Sequence, residues 1–116
     1  MFRFENLEIW QEAIIYAKQV YSLTASFPKE EQYSLVSQLR RSAVSVSANI
    51  AEGAASSTTK EFQMFLSYSI RSLAENISEF AFAKEQSYVS EEQYKKAYSE
   101  AERLIKRITT FKKTLA

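Results

Sequence analysis

The sequence predicts an all-α fold, an antiparallel up-down-up-down four-helix bundle. The chain has one Gly and one Pro in 116 residues, whereas the turns of a β or mixed fold need more of both. Four long stretches repeat apolar residues at spacings of three and four, which is the helical period. The connections between them are short, so neighbouring helices are expected to run antiparallel. We expect a single domain over residues 1–116.

The first two predicted helices are delimited by local signals. Asn6 can cap the first helix, and Pro28 ends it. Its apolar stripe comprises Ile9, Ala13, Tyr16, Ala17, Val20, Thr24 and Phe27. The second helix is expected to start near Glu30 and Glu31, because negative charges suit a helix N-terminus. Gly53 is expected to end it or to mark its last turn.

Two capping boxes predict where the third and fourth helices begin. Thr58 is followed three residues later by Glu61, and Ser90 is followed in the same way by Gln93. The third helix should run to about Ser87, and the fourth should fray near the C-terminus. The expected core residues are Phe62, Phe65, Leu66, Ser69, Leu73, Ile77 and Phe80, then Tyr94, Ala97, Tyr98, Ala101, Ile105 and Ile108.

The second and third helices each carry small or apolar residues on two faces. The core stripe of the second helix comprises Leu35, Leu39, Val46, Ile50 and Gly53. Its opposite face carries Val44, Ala48, Ala51 and Ala55, flanked by Ser37, Arg40 and Arg41. The third helix likewise presents Met64, Tyr68 and Phe82 away from its core face. Ala is a good helix former that also occurs on ordinary surfaces, but Met and aromatic residues are enriched in interfaces. The pattern therefore favours oligomerisation.

Polar residues of the second helix complete the candidate interaction site. Asn49 lies at the edge of the core stripe, and we expect it to bond a neighbouring loop or helix end. Arg40, Arg41 and Glu52 are expected to pair at or across a subunit boundary, where such groups fix register more than they add stability. The predicted partner-contacting residues are Arg40, Arg41, Val44, Ala48, Asn49, Ala51, Glu52, Met64 and Tyr68.

The composition argues against catalysis. The chain contains no Cys, His or Asp, which excludes thiolate nucleophiles, imidazole bases and the usual zinc or di-iron ligand sets. Glu52, Glu75 and Glu79 give only a weak enzyme alternative, because no nucleophile or metal shell accompanies them. We expect no enzyme activity, cofactor or small-molecule substrate. No segment approaches the ~20 apolar residues of a membrane span, and the start lacks a signal-peptide core. A cytoplasmic protein without membrane contact is expected.

A basic C-terminal stretch supports a second class of function. It comprises Arg103, Lys106, Arg107, Lys112 and Lys113, with no acidic residue after Glu102. An oligomer would multiply this patch, and multivalent contacts to nucleic-acid phosphates could offset weak single ones. A solvated basic helix end, favourable to the helix dipole, explains the same residues without a ligand. The net charge of +1 is lower than that of most dedicated nucleic-acid binders.

Several motifs resemble a known family. They are, in order, FENLEIWQEA, QLRRSAVSVSANIAEGAA, KEFQMFLSYSIRSLAE and the last amphipathic helix. This pattern is similar to the four-helix bundle family, also called the 23S rRNA intervening-sequence protein family. The resemblance implies a homopentameric ring without a settled biochemical activity. Because some members are encoded within intervening sequences of 23S rRNA genes, it also suggests an association with RNA.

This chain departs from the family pattern at three places. Ser47 stands where Pro is usual, Arg71 where Gly is common, and Ser87-Tyr88 where Gly-Tyr often opens the last connection. Taken together, the residues and the resemblance predict a non-enzymatic oligomeric interaction or scaffold protein. RNA binding through basic contacts repeated around a ring is the alternative.

Overall fold

The protein folds into four helices, as a computed structural model that describes residues 1–115 shows. They are α1 (Glu8–Thr24), α2 (Leu35–Ala54), α3 (Thr59–Glu85) and α4 (Glu91–Thr114). Short 3₁₀ turns at Arg3–Asn6 and Lys29–Glu31 precede α1 and α2. The described range contains no strand, so the predicted all-α class is confirmed.

Contacts near opposite ends of the helices establish their antiparallel order. The end of α2 meets the start of α3, where Gly53 lies against Phe62. Earlier in α2, the Leu39 carbonyl accepts a hydrogen bond from Asn76, late in α3. The same reversal relates α3 to α4, through the contacts Gln63–Lys112 and Lys84–Glu91. It also relates α1 to α4, because Glu8 pairs with Arg107 while Leu23 and Gln93 line one cavity at the other end.

Each helix packs on two neighbours and lies diagonally across the bundle from the third. The adjacent pairs are α1 with α2, α2 with α3, α3 with α4, and α4 with α1. The backbones of α2 and α4 do not come close, and neither do those of α1 and α3, although the long Tyr16 side chain of α1 reaches Asn76 of α3. This is the predicted up-down-up-down bundle.

One hydrophobic core is shared by all four helices. The predicted stripe of α2 is buried throughout, at Leu35, Leu39, Val46, Ile50 and Gly53. In α4 the prediction was wrong at Tyr98, which is 46% exposed, and it missed Leu104, which is 4% exposed. The buried line of α4 instead follows Ala97, Ala101, Leu104 and Ile108. The observed face is therefore rotated by about 40° from the predicted one, at 100° per residue.

Two of the three predicted N-caps are observed, and the third is not. Thr58 accepts a hydrogen bond from the Glu61 amide at 3.1 Å, and Ser90 forms a reciprocal capping box with Gln93, so both predicted starts are confirmed. Asn6 does not cap α1. It closes the preceding 3₁₀ turn, and Leu7 occupies the cap position without a side-chain hydrogen bond.

The start of α2 and the end of α3 also differ from the prediction. α2 begins at Leu35 because Lys29–Glu31 forms a separate turn. That turn is held by Glu31, whose carboxylate accepts hydrogen bonds from Ser34 and from Tyr88, each at 2.8 Å. α3 ends at Glu85, just before Ser87 adopts a left-handed backbone with φ 64°.

Candidate functional site: the outer face of α2 and α3

Small side chains hold α2 and α3 together more closely than any other helix pair. The Ser45 and Ser72 hydroxyls lie 2.9 Å apart, and the Ser69 hydroxyl donates to the Val46 carbonyl at 2.8 Å. At Gly53, an added Cβ would lie 2.7 Å from Cδ1 of Phe62, so this close approach requires glycine. The outer sides of the two helices consequently lie next to each other.

We define the α2–α3 outer face as Arg41, Val44, Ala48, Glu52 and Ala55 of α2 with Met64, Tyr68 and Phe82 of α3. All eight residues are exposed. The large apolar ones are exposed by 43% at Val44, 41% at Met64, 37% at Tyr68 and 54% at Phe82. The structure thus places them outward as predicted. Ala51, which was predicted on this face, is half-buried at its margin.

Arg41 and Glu52 place opposite charges at different levels of this face. Both side chains are exposed. Neither forms a hydrogen bond or an ion pair with any other residue of the described range 1–115. They are separated by ~16 Å along α2, too far for contact within one chain. Their charges are therefore uncompensated in the monomer.

Arg40 does not join Arg41 and Glu52. Its Nε donates to Thr24 Oγ1 at 2.9 Å, and its Nη2 approaches the Tyr21 carbonyl at 3.4 Å. Its guanidinium also lies over the Tyr21 ring, 4.4 Å from the ring centre. A cation at the C-terminal end of α1 is favoured by the helix dipole. Arg40 therefore fastens α1 to α2.

Asn49 bonds its own helix, so the predicted bond to a neighbouring loop or helix end was wrong. Its amide Nδ2 donates to the Ser45 carbonyl at 2.9 Å and to the Ser45 hydroxyl at 3.0 Å. Residues four apart in a helix lie one above the other, which makes this carbonyl easy to reach. The Asn49 Oδ1 accepts no hydrogen bond from the part of the chain that the structure describes. Asn49 is only half-buried, so this oxygen is available to a partner.

A buried polar network that sequence analysis missed connects three helices. Asn76 has no exposed surface, and its Oδ1 accepts a hydrogen bond from the Tyr16 hydroxyl at 2.7 Å. Its Nδ2 donates to the Leu39 carbonyl and to the Ser42 hydroxyl, each at 2.9 Å. The Ser42 hydroxyl lies 2.8 Å from a carboxylate oxygen of Glu79. The network fixes α1, α2 and α3 relative to one another.

The helical period could have revealed part of this network. Asn76 follows Leu73 by three residues and precedes Phe80 by four, so spacing alone places it on the core side. Burial raises the pKa of the Tyr16 hydroxyl above its ordinary value, and nearby Glu100 adds to the shift. Burial also raises the pKa of Glu79, with a contribution from Glu75, although the bond from Ser42 opposes it.

The predicted basic stretch divides into two groups. Arg107 forms ion pairs with Glu8 at 3.0 Å and with Glu12 at 2.9 Å, although its Nε–H is not aligned on Glu12. Lys112 donates to the Ser67 hydroxyl at 2.8 Å. These two cations hold α4 against α1 and α3. The remaining cations of α4 are exposed, namely Lys95, Lys96, Arg103, Lys106 and Lys113.

The helices and carboxylates within residues 1–115 form neither a membrane span nor a metal cluster. None of the described helices combines the length and apolarity needed to cross a membrane. Within the same range, no three carboxylate side chains come together in a way that could hold a metal ion.

Comparison with known proteins gives one family and a related fold. The family model described as 23S rRNA-intervening sequence protein matches residues 5–110, which confirms the resemblance seen in the motifs. Among solved structures, the chain is similar to a protein with unknown function from the S23 ribosomal protein family of Bacteroides thetaiotaomicron VPI-5482. The TM-score is 0.83 and the identity is 19%, over 90% of this chain and 95% of that one. At this identity the similarity concerns the fold alone. No curated protein matches.

Proposed function

The chain belongs to the 23S rRNA intervening-sequence protein family, and we propose that it acts as a non-enzymatic, self-assembling interaction protein. The proposed contact is the α2–α3 outer face. The observation that carries the proposal is the exposure of Val44, Met64 and Tyr68 at neighbouring levels of the two helices. Phe82 is exposed on the same side of α3, about 21 Å beyond Tyr68 along the helix.

The position of these side chains supports an interface. Single exposed apolar residues are normal, whereas a group on adjacent helices marks an interaction site. Met and aromatic residues supply much of the contact area in interfaces. The other exposed large apolar residues are distributed over the chain start, α1, the segment before α2, and α4; they are Met1, Phe2, Ile15, Tyr21, Tyr33 and Tyr98.

Electrostatic complementarity supports a second copy of this chain as the partner. Arg41 and Glu52 carry opposite, uncompensated charges on one face. A neighbouring copy offers the matching charge for each of them, and complementary charges steer association and fix register. Ala48 lies between them along α2 and is exposed. Its small side chain leaves room for a close approach.

We propose five copies, the number that the family resemblance implies. A ring is built from head-to-tail contacts, in which two different surfaces of neighbouring subunits meet. In the proposed ring, the end of the α2–α3 outer face that carries Arg41 meets the end that carries Glu52 on the next subunit. Arg71 departs from the Gly common in the family. Its guanidinium lies 5.8 Å from the centre of the Tyr68 ring, so its bulk rests on this face and shapes the contact.

The proposed role involves no bond-breaking step. Arg41 cannot accept a proton near neutral pH, and the Asn49 amide does not titrate. The Glu52 carboxylate is exposed and forms no ion pair with another described residue, so nothing pairs it with a nucleophile. These groups are suited to recognition, in which charge and shape select a partner.

Measurement of the molar mass tests the proposal. Light scattering of the purified protein should give a pentamer at micromolar concentration. Ala48→Glu introduces a charge and bulk into the proposed contact and should lower the mass while circular dichroism stays helical. Ala74→Glu is the matched control, because Ala74 is exposed and lies about two turns beyond Ser67, on the side of α3 that contacts α4. A monomeric wild type, or equal effects of both variants, would contradict the proposal.

RNA binding is a second candidate function. It is favoured by Arg103, Lys106 and Lys113, which are exposed and form no ion pair within the described residues. Arg107 and Lys112 support it less, because both contact the bundle itself. Binding to rRNA fragments at several salt concentrations provides the test. Affinity that falls steeply with salt indicates several phosphate contacts, and no detectable binding at low salt would exclude this candidate.

A further inference from the structure

The exposed cations of α4 form a row that continues beyond the C-terminal stretch. Lys95, Lys106 and Lys113 are all exposed. They lie about three turns and about two turns apart, which brings their directions within about 20° of each other at 100° per residue. Arg103 is exposed and lies on the turn before Lys106. We define the α4 basic row as Lys95, Arg103, Lys106 and Lys113. It extends ~27 Å along the helix.

We propose that the α4 basic row binds the phosphate backbone of single-stranded nucleic acid, on the side of the bundle away from the α2–α3 outer face. The proposal rests on the second candidate function. It adds Lys95 to the contact and removes Arg107 and Lys112, which are bonded to other helices.

The helix order makes this surface independent of self-assembly. α4 lies diagonally across the bundle from α2, and the two helices do not pack on each other. α3 does lie next to α4, but Arg103 and Lys106 lie on the α1 side of α4, where they line clefts shared with α1. Covering the outer sides of α2 and α3 therefore leaves this side of α4 open to solvent. Each subunit of an assembly would contribute one row, and linked rows would bind one strand more tightly than separate ones.

The groups along the row suit phosphates. No member of the row forms an ion pair within the described residues. Ser99 and Thr110 are exposed on the same side of α4, and hydroxyls commonly donate to phosphate oxygens. Glu102 is also exposed there, about one turn before Lys106, and it lowers the positive charge of the row.

Tyr98 favours a single strand over a duplex. It is 46% exposed and follows Lys95 by about one turn. An accessible ring beside cations allows a base to stack while its phosphate contacts a lysine. Because lysines and hydroxyls carry no information about the bases, we expect little sequence preference.

An anionic membrane fits this surface less well. A helix that binds a membrane surface inserts an apolar face between the lipids. The apolar face of α4 is instead buried in the core, through Ala97, Ala101, Leu104 and Ile108. The row could therefore attract a membrane only through its charges.

Two triple variants with the same change of charge test the proposal. The first is Lys95→Gln, Lys106→Gln and Lys113→Gln. The control is Lys18→Gln, Lys29→Gln and Lys60→Gln, three exposed lysines outside α4. The probe is a fluorescein-labelled oligouridine of about 20 nucleotides, followed by anisotropy. We expect the row variant to lose at least about tenfold in affinity and its salt slope to fall by about two, from ~0.7 per phosphate contact. The control should change by less than about twofold.

A variant that is expected to increase the affinity gives a second test. Glu102→Gln should tighten oligouridine binding, because it removes the acidic group beside Lys106. Equal losses from both triple variants would overturn the proposal, as they would reflect overall charge. Binding of phosphatidylserine vesicles in place of oligouridine would overturn it as well.

Light scattering of the same samples distinguishes nucleic-acid binding by the α4 basic row from self-assembly through the α2–α3 outer face. The row variant should keep the mass of the wild type, because its substitutions lie away from the α2–α3 outer face. If the wild type does not bind oligouridine, the proposed role of the α4 basic row and the RNA-binding function are both overturned. The self-assembly proposal is unaffected by that result. If the wild type binds oligouridine as a monomer, the proposed role of the α4 basic row is supported and self-assembly is refuted.

Discussion

At the scale of single residues, Asn76 connects the most helices through one side chain. It accepts from Tyr16 and donates to Ser42, entirely out of contact with water. Asn76→Ala leaves the Tyr16 hydroxyl without its acceptor. It also removes the bond to Ser42, which keeps Glu79 as a partner. We expect a loss of about 2–4 kcal/mol in the free energy of unfolding. Ser78→Ala, at an exposed site of α3, is the control and should change it little. Urea denaturation measures both, and a loss as small as that of the control would contradict the network's role.

Glu79 gives a prediction about pH. Burial and the neighbouring Glu75 raise its pKa in the folded state above the ordinary value of 4.5. The folded protein therefore holds this proton more tightly than the unfolded chain, so the contribution of Glu79 to stability falls as pH rises through the interval above 4.5. Glu79→Gln should remove that loss.

The measurement for Glu79 is a pH series of unfolding free energies. The stability of Glu79→Gln relative to wild type should increase from pH 4.5 towards neutral. Glu102→Gln, at an exposed position of α4, provides the comparison. The unfolding free energy of Glu79→Gln minus that of wild type could instead stay constant or fall over this interval. That result would show that the hydrogen bond from Ser42 stabilises the charged carboxylate more than burial destabilises it.

The residue scale also shows what spacing can predict and what it cannot. Spacing gave the outward direction of Val44 and Ala48 and the inward direction of the α2 stripe. Arg40 and Arg41 look equivalent in the sequence, but 100° of helical rotation directs one to Thr24 and leaves the other in solvent. The period gives a direction from the helix axis, whereas the neighbour met in that direction depends on the packing of other helices.

At the scale of helices, Gly53 controls how closely α2 and α3 approach. Alanine is favoured over glycine in a helix by about 1 kcal/mol. Here, however, the new Cβ would lie 2.7 Å from Phe62 Cδ1 and 3.0 Å from Phe65 Cβ. We expect Gly53→Ala to destabilise the protein by about 1–3 kcal/mol, because overpacking outweighs the gain in propensity. Gln38→Ala, at an exposed site of α2, is the control in thermal unfolding. A more stable Gly53→Ala protein would show that the rings move away at little cost.

Helix boundaries were predictable where the signal is local. The caps at Thr58 and Ser90 bond residues only three positions away, so the sequence contains the whole motif. The start of α2 depends instead on Glu31, which is held by Tyr88 from the connection between α3 and α4. A contact between such distant positions leaves no local pattern, and for this reason the start of α2 was placed too early.

At the scale of the whole molecule, the bundle separates two kinds of surface. α2 and α3 present apolar side chains and opposite charges, and α4 presents cations. The diagonal placement of α2 and α4 keeps these surfaces apart. Composition and period were sufficient to predict the bundle. The separation of surfaces was not predictable from them, because Arg107 and Lys112 look like surface cations until their partners on α1 and α3 are known.

The charges of the α2–α3 outer face give the last prediction. If Arg41 of one subunit meets Glu52 of its neighbour, Glu52→Arg brings two positive charges together and should lower the mass of the assembly by light scattering. Adding Arg41→Glu to the same chain restores opposite charges across the boundary and should recover part of the lost mass.

The matched control combines Glu52→Arg with Lys18→Glu. It has the same net charge as the first double variant, but its compensating change lies on α1, at an exposed position outside the α2–α3 outer face. Only the double variant that contains Arg41→Glu should recover, because complementarity acts between groups in contact and screening by salt weakens more distant charges. Equal recovery by both doubles would mean that overall charge controls association. Recovery by neither would mean that Arg41 and Glu52 do not meet, and the apolar side chains of the face would then have to hold the assembly without this pair.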